Sequence, residues 1–172
     1  MSAVARSIDG GAALPRVGPV SSSQPSKLFA GLLKMLDVNH RLTVLEIGPA
    51  LPETVDFFSQ FKCRLQFVDL FHEPFVREQQ AKLSEKELRH AFEEQFRFPA
   101  DPQIDICLFW DFLCYLDDPA LKALNYALRP WLHSTTRAQG FGVHHLAIRL
   151  ENIQYGVVDK ETLSVRQRRS AQ

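Results

Sequence analysis

Hydrophobic positions in the chain alternate between short, nearly continuous runs and segments with a helical period. Three runs rich in apolar residues predict strands over 41–48, 63–70 and 104–110, the first and the third of them buried. The first strand, the turn at Gly48, a short helix from Pro52 and the second strand form a βαβ unit. Such a unit requires its two strands to be parallel.

Other segments carry apolar side chains every three or four residues and predict helices. One helix covers 28–36, ahead of the first strand. The charged stretch 74–96 is divided into two helices by Ser84, which forms a capping box with Glu87. A further helix covers 118–128, where an Asp-Pro pair begins it and a proline stops it.

After the last helix the pattern predicts three more strands. A polar loop over 134–139 leads into a strand at 140–148. Two shorter runs, 153–158 and 162–165, flank an Asp-Lys-Glu turn and predict a β-hairpin. Alternating strands and helices predict an α/β domain, with a mostly parallel sheet between helical layers.

Composition predicts one ordered domain between a leader and a tail. Residues 1–25 are rich in Gly, Ala, Ser and Pro without a sustained period, and predict a flexible leader. A single domain is expected over 26–166, followed by a tail at 167–172. The basic cluster at 166–169 is interpreted as solvated. A chain of 172 residues, 45% of them hydrophobic, suits one core of ordinary size.

Charge and cysteine content exclude several classes of function. Lys plus Arg and Asp plus Glu number 20 each, so no net charge favours nucleic acid or an anionic membrane. No run approaches the roughly 18 apolar residues of a membrane span, and no apolar signal core opens the chain. Three cysteines without C-x-x-C spacing predict neither a disulfide framework nor a zinc site. We therefore expect a cytosolic protein.

Candidate ligand-binding residues lie where the three predicted strands end. Open parallel sheets bind ligands at the carboxyl ends of their strands, where the strand order reverses. Gly48 lets the backbone turn sharply and lets a ligand approach the main chain. Asp69 offers two acceptor oxygens to a ribose diol, and Asp111 with Phe112 follows the third strand. Each also has a simpler interpretation, as a tight turn, a helix cap or a core residue.

These strand ends resemble the motifs of the class I S-adenosylmethionine (SAM)-dependent methyltransferases. The segment VLEIGPALPETVDFF is similar to the first motif of that family, and QFVDLF to the second. The segment IDICLFWDFLCYLDDPALKALNYALRPWL is similar to the fourth strand and the helix after it. The similarity spans about residues 28–148. It implies a three-layer Rossmann-like sandwich that lacks the last strands of the methyltransferase fold, with SAM as cofactor.

The resemblance also implies which residues would contact the cofactor. Glu46 and Gly48 would line its methionine end, and Asp69 would bind the ribose. Asp111 and Phe112 would close over the sulfonium. The full set of expected cofactor-binding residues is Glu46, Gly48, Pro49, Ala50, Asp69, Leu70, Asp111 and Phe112. No catalytic base is identified by the sequence.

Several departures from the family pattern keep other interpretations open. Ala50 and Pro52 stand where the motif has its second and third glycines. Ala50 adds a Cβ that resists a positive φ, and Pro52 removes an N–H donor. A predicted helical pair occupies the place of the third strand. The chain also stops soon after the hairpin, as in a shortened or an incomplete member of the family.

Three functions therefore remain as alternatives. The first is an enzyme that moves a methyl group from SAM to a small molecule or a protein. The second is a catalytically inactive binding or scaffold module, which would bind a protein partner or a second copy of itself. The third is a dinucleotide-dependent oxidoreductase, which is disfavoured because the G-x-G-x-x-G fingerprint is absent after the first strand.

Overall fold

The computed structural model of this chain describes residues 22–34, 39–99, 102–142 and 152–168. The strands in these ranges are β1 Ser22–Pro25, β2 Leu42–Ile47, β3 Cys63–Val68, β4 Ile104–Trp110, β5 Leu132–Gly140, β6 Ile153–Val157 and β7 Thr162–Gln167. The α-helices are α1 Lys27–Lys34, α2 Pro52–Phe58, α3 Pro74–Arg77, α4 Glu85–Gln95 and α5 Asp118–Leu128. Short 3₁₀ turns follow β3 at Leu70–His72 and β4 at Phe112–Tyr115.

Four strands form a parallel sheet in the order β3-β2-β4-β5. β2 pairs with β3 from Leu42 opposite Cys63 to Ile47 opposite Val68, and β4 lies on the other side of β2. The expected α/β architecture with a parallel sheet is therefore confirmed. After β2 the chain forms β3 on one side of that strand and then β4 on the other side. The strand order therefore reverses between β2 and β4.

Alternate side chains of the sheet bury into two separate cores. Leu45 and Ile47 pack on the face covered by α4 and α5, together with Phe92. Val44 points to the opposite face and packs with Phe57 of α2. Because both faces of β2 are covered, its sequence is a nearly continuous apolar run rather than an alternating one. The predicted capping box of Ser84 begins α4 and is confirmed.

A second sheet, antiparallel and in the order β1-β7-β6, packs against α2. Its β6–β7 pair is the hairpin that the sequence predicts. Val157 and Leu163 are fully buried in the same core as α2, and the Val157 N–H donates to the Thr54 hydroxyl at 3.0 Å. The neighbouring Gly156 leaves no room for a side chain, since a Cβ there would lie 2.7 Å from Ser164 Oγ.

Strands among the described residues extend past both predicted boundaries. Residues Ser22–Pro25, placed by the sequence in the leader, form β1 and pair with β7 from Val165 to Thr162. At the other end β7 continues to Gln167, and Arg168 is buried. The interpretation of the basic cluster as solvated is therefore wrong for Arg168, which faces Asp111 instead. Residues 1–21 and 169–172 lie outside the described residues.

The prediction of a polar loop at 134–139 is wrong, because these residues belong to β5. β5 pairs in parallel with β4, from Ile104 opposite Leu132 to Trp110 opposite Gly140. Backbone hydrogen bonding to a buried neighbour stabilises this strand even though its own sequence is polar, an instance of tertiary context overriding β-propensity. Most of the strand predicted at 140–148 lies outside the described residues.

Candidate functional site

The three predicted strand ends lie at one edge of the parallel sheet. Ile47 pairs with Val68, and the Gly48 N–H donates to the Val68 carbonyl at 2.9 Å, so Gly48 and Asp69 follow side by side. Gly48 has a φ of +142°, a conformation that favours glycine. Trp110 ends β4 on the other side of β2. The edge at which the sequence places a ligand is thus assembled as expected.

The crevice above this edge is filled by the protein's own side chains. The Trp110 indole stacks with the rings of Phe141 and Tyr155, at centroid distances of 6.1 and 5.8 Å. The remaining space is about 10 Å³. A space of this size holds about one water molecule, whereas pockets for small molecules measure about 300–1,000 Å³. Its lining includes Glu46, Gly48, Pro49, Phe71, Trp110, Tyr155 and Arg168.

Trp110 adopts a backbone conformation that directs its ring across the strand ends. Its φ is +51°, which is uncommon for a residue other than glycine and costs of order 1–3 kcal/mol. The indole N–H donates to Glu46 Oε1 at 3.1 Å, and both residues are almost fully buried. Stacking and this hydrogen bond together hold Trp110 in the crevice.

Glu46 is a buried carboxyl that is neutral near pH 7. Burial raises its pKa to about 8, against the lowering effect of the Trp110 hydrogen bond, and the nearby charge of Glu53 raises it further. Its Oε2 has no hydrogen-bond partner among the described residues. A neutral carboxyl offers little attraction to a ligand ammonium group.

Asp69 is engaged within its own turn. Its Oδ1 accepts the Phe71 N–H at 3.3 Å, and its Oδ2 lies 2.8 Å from His72 Nδ1. These contacts cap the 3₁₀ turn Leu70–His72, in which Leu70 is fully buried. The contacts of Asp69 are therefore those of a helix cap, which is the simpler of its two interpretations.

The remaining predicted residues divide between the core and the surface. Phe112 is fully buried and packs edge-on against Phe71, with ring centroids 5.1 Å apart. Asp111 accepts from the Tyr115 hydroxyl at 3.3 Å, and burial raises its pKa. Pro49 is half-buried beside the crevice, and Ala50 is exposed.

Sequence reasoning missed the part of the site that the β6–β7 hairpin supplies. The Arg168 guanidinium lies over the Phe71 ring, donates to the Ile153 carbonyl and lies 3.6 Å from Asp111. Arg166, two positions earlier on the same face of β7, pairs with Glu53. The signal in the sequence is a pair of arginines two positions apart directly after the predicted strand 162–165, although their acidic partners lie far away in the chain.

Electrostatics around Arg166 favour a charged pair. Burial alone would raise the pKa of Glu53, but hydrogen bonds from Ser164 and the charge of Arg166 outweigh it and lower that pKa. Glu53 therefore stays ionised at neutral pH and anchors β7 to the start of α2. The ion pair between Glu53 and Arg166 joins α2 to the antiparallel sheet, and it therefore helps hold the hairpin over the crevice.

A second, larger cavity adjoins the filled crevice. It measures about 280 Å³, and we call it the arginine cavity. Its lining consists of Pro49, Leu51, Asp69, His72, Gln154, Arg166, Gln167 and Arg168. A third space of about 730 Å³ lies away from the strand ends, between α1, α2 and the turn of the hairpin.

The described residues contain neither a cluster of metal ligands nor a helix suited to a membrane. In those ranges no three His, Cys, Asp or Glu side chains come close enough to bind a metal ion together. In the same part of the chain, helices are too short or too polar to cross a bilayer. Cys63, Cys107 and Cys114 are free thiols.

Comparison of the chain with protein-family models, curated proteins and solved structures finds no match to any of them.

Proposed function

We propose that this chain is a catalytically inactive α/β binding module whose strand-end crevice is filled by its own residues. The observation that carries the proposal is the space of about 10 Å³ left between Gly48, Trp110 and Tyr155. A cofactor of the size of SAM needs a pocket of at least about 300 Å³. Filling the crevice removes the place where such a cofactor would lie.

The contacts of the expected cofactor-binding residues support the same proposal. Glu46 is neutral and bonded to Trp110, so it lacks the charge that would attract the methionine ammonium. Asp69 uses both carboxylate oxygens within its own turn. Ala50 and Pro52 stand where the motif has glycines. Ala50 carries a Cβ, and Pro52 lacks a backbone N–H donor.

The hairpin is a packed part of the domain rather than a loose lid. Val157 and Leu163 are fully buried, and burial of each contributes about 1.5–3 kcal/mol. A ligand present at a hundred times its Kd adds only about 2.7 kcal/mol of stability. Displacing both side chains to open the crevice would cost more than such a ligand supplies.

Isothermal titration calorimetry with SAM and with its demethylated product tests the proposal. At ligand concentrations up to about 1 mM we expect no saturable heat from the intact chain. Saturable binding with a Kd below about 100 μM, abolished by Asp69→Ala, would overturn the inactive-module proposal. Residual binding in Asp69→Ala would indicate contact elsewhere on the protein.

Exposed apolar side chains support a protein as the partner of this module. Leu28 of α1 is 68% exposed, and Val158 is 45% exposed beside the space of about 730 Å³. An exposed apolar side chain that lines a groove, as Val158 does, is a feature of protein-binding surfaces. Size-exclusion chromatography with light scattering would report a second copy as partner. A monomer at all concentrations that also binds SAM would contradict a module of this kind.

A SAM-dependent methyltransferase is the second candidate, favoured by one specific observation. Gly48, Asp69 and Asp111 follow neighbouring strands at the point where the strand order reverses, as ligand-binding residues of doubly wound sheets do. This function would require the hairpin to move. Tyr155→Ala removes a ring from the crevice, so SAM binding by the wild type that becomes tighter in this variant would support this candidate.

A further inference from the structure

We propose that Thr135 is an acyl-acceptor residue, whose hydroxyl is activated by His133 for attack on activated acyl esters. The site lies at the amino ends of the parallel strands, because Thr43 and Asp105 are the second residues of β2 and β4. The filled crevice lies at the opposite, carboxyl ends. Acylation modifies the chain itself and needs no turnover, so the proposal goes beyond the inactive-module function and does not depend on it.

A bulge in β5 brings the side chains of this site together. In the pairing of β5 with β4, the segment 133–136 lies opposite the single residue Asp105. Bulges re-aim side chains and are common beside active sites. The Thr136 hydroxyl holds this bulge, because it accepts the His133 backbone N–H at 2.9 Å and donates to the Ile104 carbonyl at 2.7 Å.

Three contacts link a hydroxyl, an imidazole and a carboxylate. The Thr135 hydroxyl lies 2.8 Å from His133 Nδ1, and His133 Nε2 lies 3.2 Å from Asp105 Oδ1. The other carboxylate oxygen, Oδ2, accepts the Thr43 backbone N–H at 2.7 Å, which fixes the orientation of Asp105. A nucleophile within hydrogen-bond reach of a base, with a third group orienting that base, is the arrangement that activates hydroxyls for covalent chemistry.

The charge of Asp105 decides which nitrogen of a neutral His133 carries the proton. A carboxylate only accepts hydrogen bonds, so it favours the tautomer of the imidazole that has its proton on Nε2. Nδ1 then holds a lone pair and accepts the Thr135 O–H. When His133 takes the proton of this hydroxyl, the same carboxylate stabilises the imidazolium that forms.

The nucleophile faces solvent, while its base and the orienting acid are partly shielded. Thr135 is exposed, and the side chains of His133 and Asp105 are 28% and 27% exposed. The adjacent Ser134 is exposed as well, but its hydroxyl makes no hydrogen bond within the described residues. Because Thr135 is open to solvent, its acyl donor must bring a good leaving group of its own, as aryl esters do.

The transfer step uses only the donor and these side chains. Thr135 Oγ attacks the acyl carbonyl while His133 Nδ1 takes the hydroxyl proton. The bond from the carbonyl carbon to Oγ forms, and the bond from that carbon to the leaving oxygen breaks. The leaving group departs as the phenol, with the proton that His133 had taken, and the product is an O-acyl threonine.

Acetylation by p-nitrophenyl acetate tests the proposal, with the modified residues located by peptide mass spectrometry. We expect an acetyl ester at Thr135 that hydroxylamine removes, whereas acetyl amides on lysines resist it. General-base catalysis contributes about 10²–10⁴-fold, so Thr135 should react at least about tenfold faster than Ser134. Acetyl groups on lysines alone, or equal rates at the two hydroxyls, would overturn the proposal.

Variants of the same segment separate activation from exposure. Thr135→Val should abolish the hydroxylamine-sensitive acetyl group, Thr135→Ser should retain it, and His133→Gln should slow its formation at least about tenfold. Ser134→Ala is the matched control and should react like the wild type. Acetylation of Thr135 at the wild-type rate in His133→Gln would contradict activation by the imidazole.

The comparison of Thr135 with Ser134 within the wild type stands even if His133→Gln does not fold. It is also separate from the SAM titration, because the two experiments probe opposite edges of the parallel sheet. Failure of the acetylation test would therefore leave the inactive-module function unaffected.

Discussion

The indole N–H of Trp110 donates to Glu46 Oε1 across 3.1 Å and joins the ends of β4 and β2 beneath the hairpin. Glu46 sits where a cofactor contact was expected, and Trp110 ends the strand from which the chain leads into Asp111. The hydrogen bond therefore links one predicted ligand position to the residue that precedes another. Both residues are removed from solvent by the same contact.

Glu46 makes the stability of the fold depend on pH. Its pKa in the folded protein is raised to about 8, above the ordinary 4.5, so the folded state holds a proton that the unfolded state releases. The stability from this group is fully present below about pH 4.5 and is lost as the pH rises through about 8. We expect Glu46→Gln to gain stability relative to the wild type between pH 5 and pH 8, by a few kcal/mol at most.

Urea unfolding at these two pH values measures the effect of Glu46→Gln. Glu161→Gln, on the exposed turn of the hairpin, is the matched control and should follow the pH dependence of the wild type. If the free energies of unfolding of the wild type and of Glu46→Gln change in parallel with pH, Glu46 is ionised in the folded protein. The inference of a buried neutral carboxyl would then be wrong.

The close approach at Gly156 tolerates no side chain. A Cβ there would lie 2.7 Å from Glu53 Oε1 and from Ser164 Oγ, and 2.9 Å from Leu51. We expect Gly156→Ala to destabilise the fold by about 1–3 kcal/mol through overpacking. Gly31→Ala in α1 meets nothing within 4 Å and should stabilise by about 0.5–1 kcal/mol. Chemical denaturation of both variants gives the comparison, and equal stability of the two would contradict the contact.

Tyr155 contributes to the packing of the crevice through its contacts with two rings. Its centroid lies 4.9 Å from that of Phe141 and 5.8 Å from that of Trp110. We expect Tyr155→Ala to cost about 2–4 kcal/mol, because truncating a packed aromatic leaves a cavity. Tyr126→Ala removes a half-exposed ring on α5 and should cost less than about 1 kcal/mol. Similar losses for both variants would show that the crevice is not packed in solution.

The Thr54 hydroxyl is the acceptor for the buried N–H of Val157. Thr54→Val keeps the shape of the side chain and removes the acceptor, so we expect a loss of about 1–3 kcal/mol. The Val157 amide should also exchange with deuterium faster, as measured by NMR. Thr135→Val, at an exposed position of β5, should leave that exchange rate unchanged. Unchanged protection in Thr54→Val would place the hairpin away from α2.

Local patterns were sufficient to predict the elements whose signals are local. The apolar runs of β2, β3 and β4 and the Ser84 capping box depend on neighbouring residues, and the structure contains all four. β5 was missed because pairing with β4 stabilises a polar strand that has no apolar period of its own. β1 was missed for the same reason, since its partner lies about 140 residues later in the chain.

The position of the candidate site was predictable from the sequence, but the side chains that fill it were not. Gly48 and Asp69 follow strands that any parallel βαβ unit brings together, so their common edge could be expected from the sequence. The filling of the crevice could not, because Tyr155 and Arg168 reach it from a separate sheet. Long-range docking of a hairpin depends on side-chain fit, which one sequence does not reveal.

The pairing of β1 with β7 has a consequence for synthesis on the ribosome. Ser22 and Val165 are opposite each other, so the small sheet closes only after nearly all the described residues have left the exit tunnel. Until then the nascent parallel sheet carries open strand ends, with Trp110 uncovered by its later partner Tyr155. During that interval the growing polypeptide presents an aromatic surface of the kind that chaperones bind, and docking of the β6–β7 hairpin conceals it.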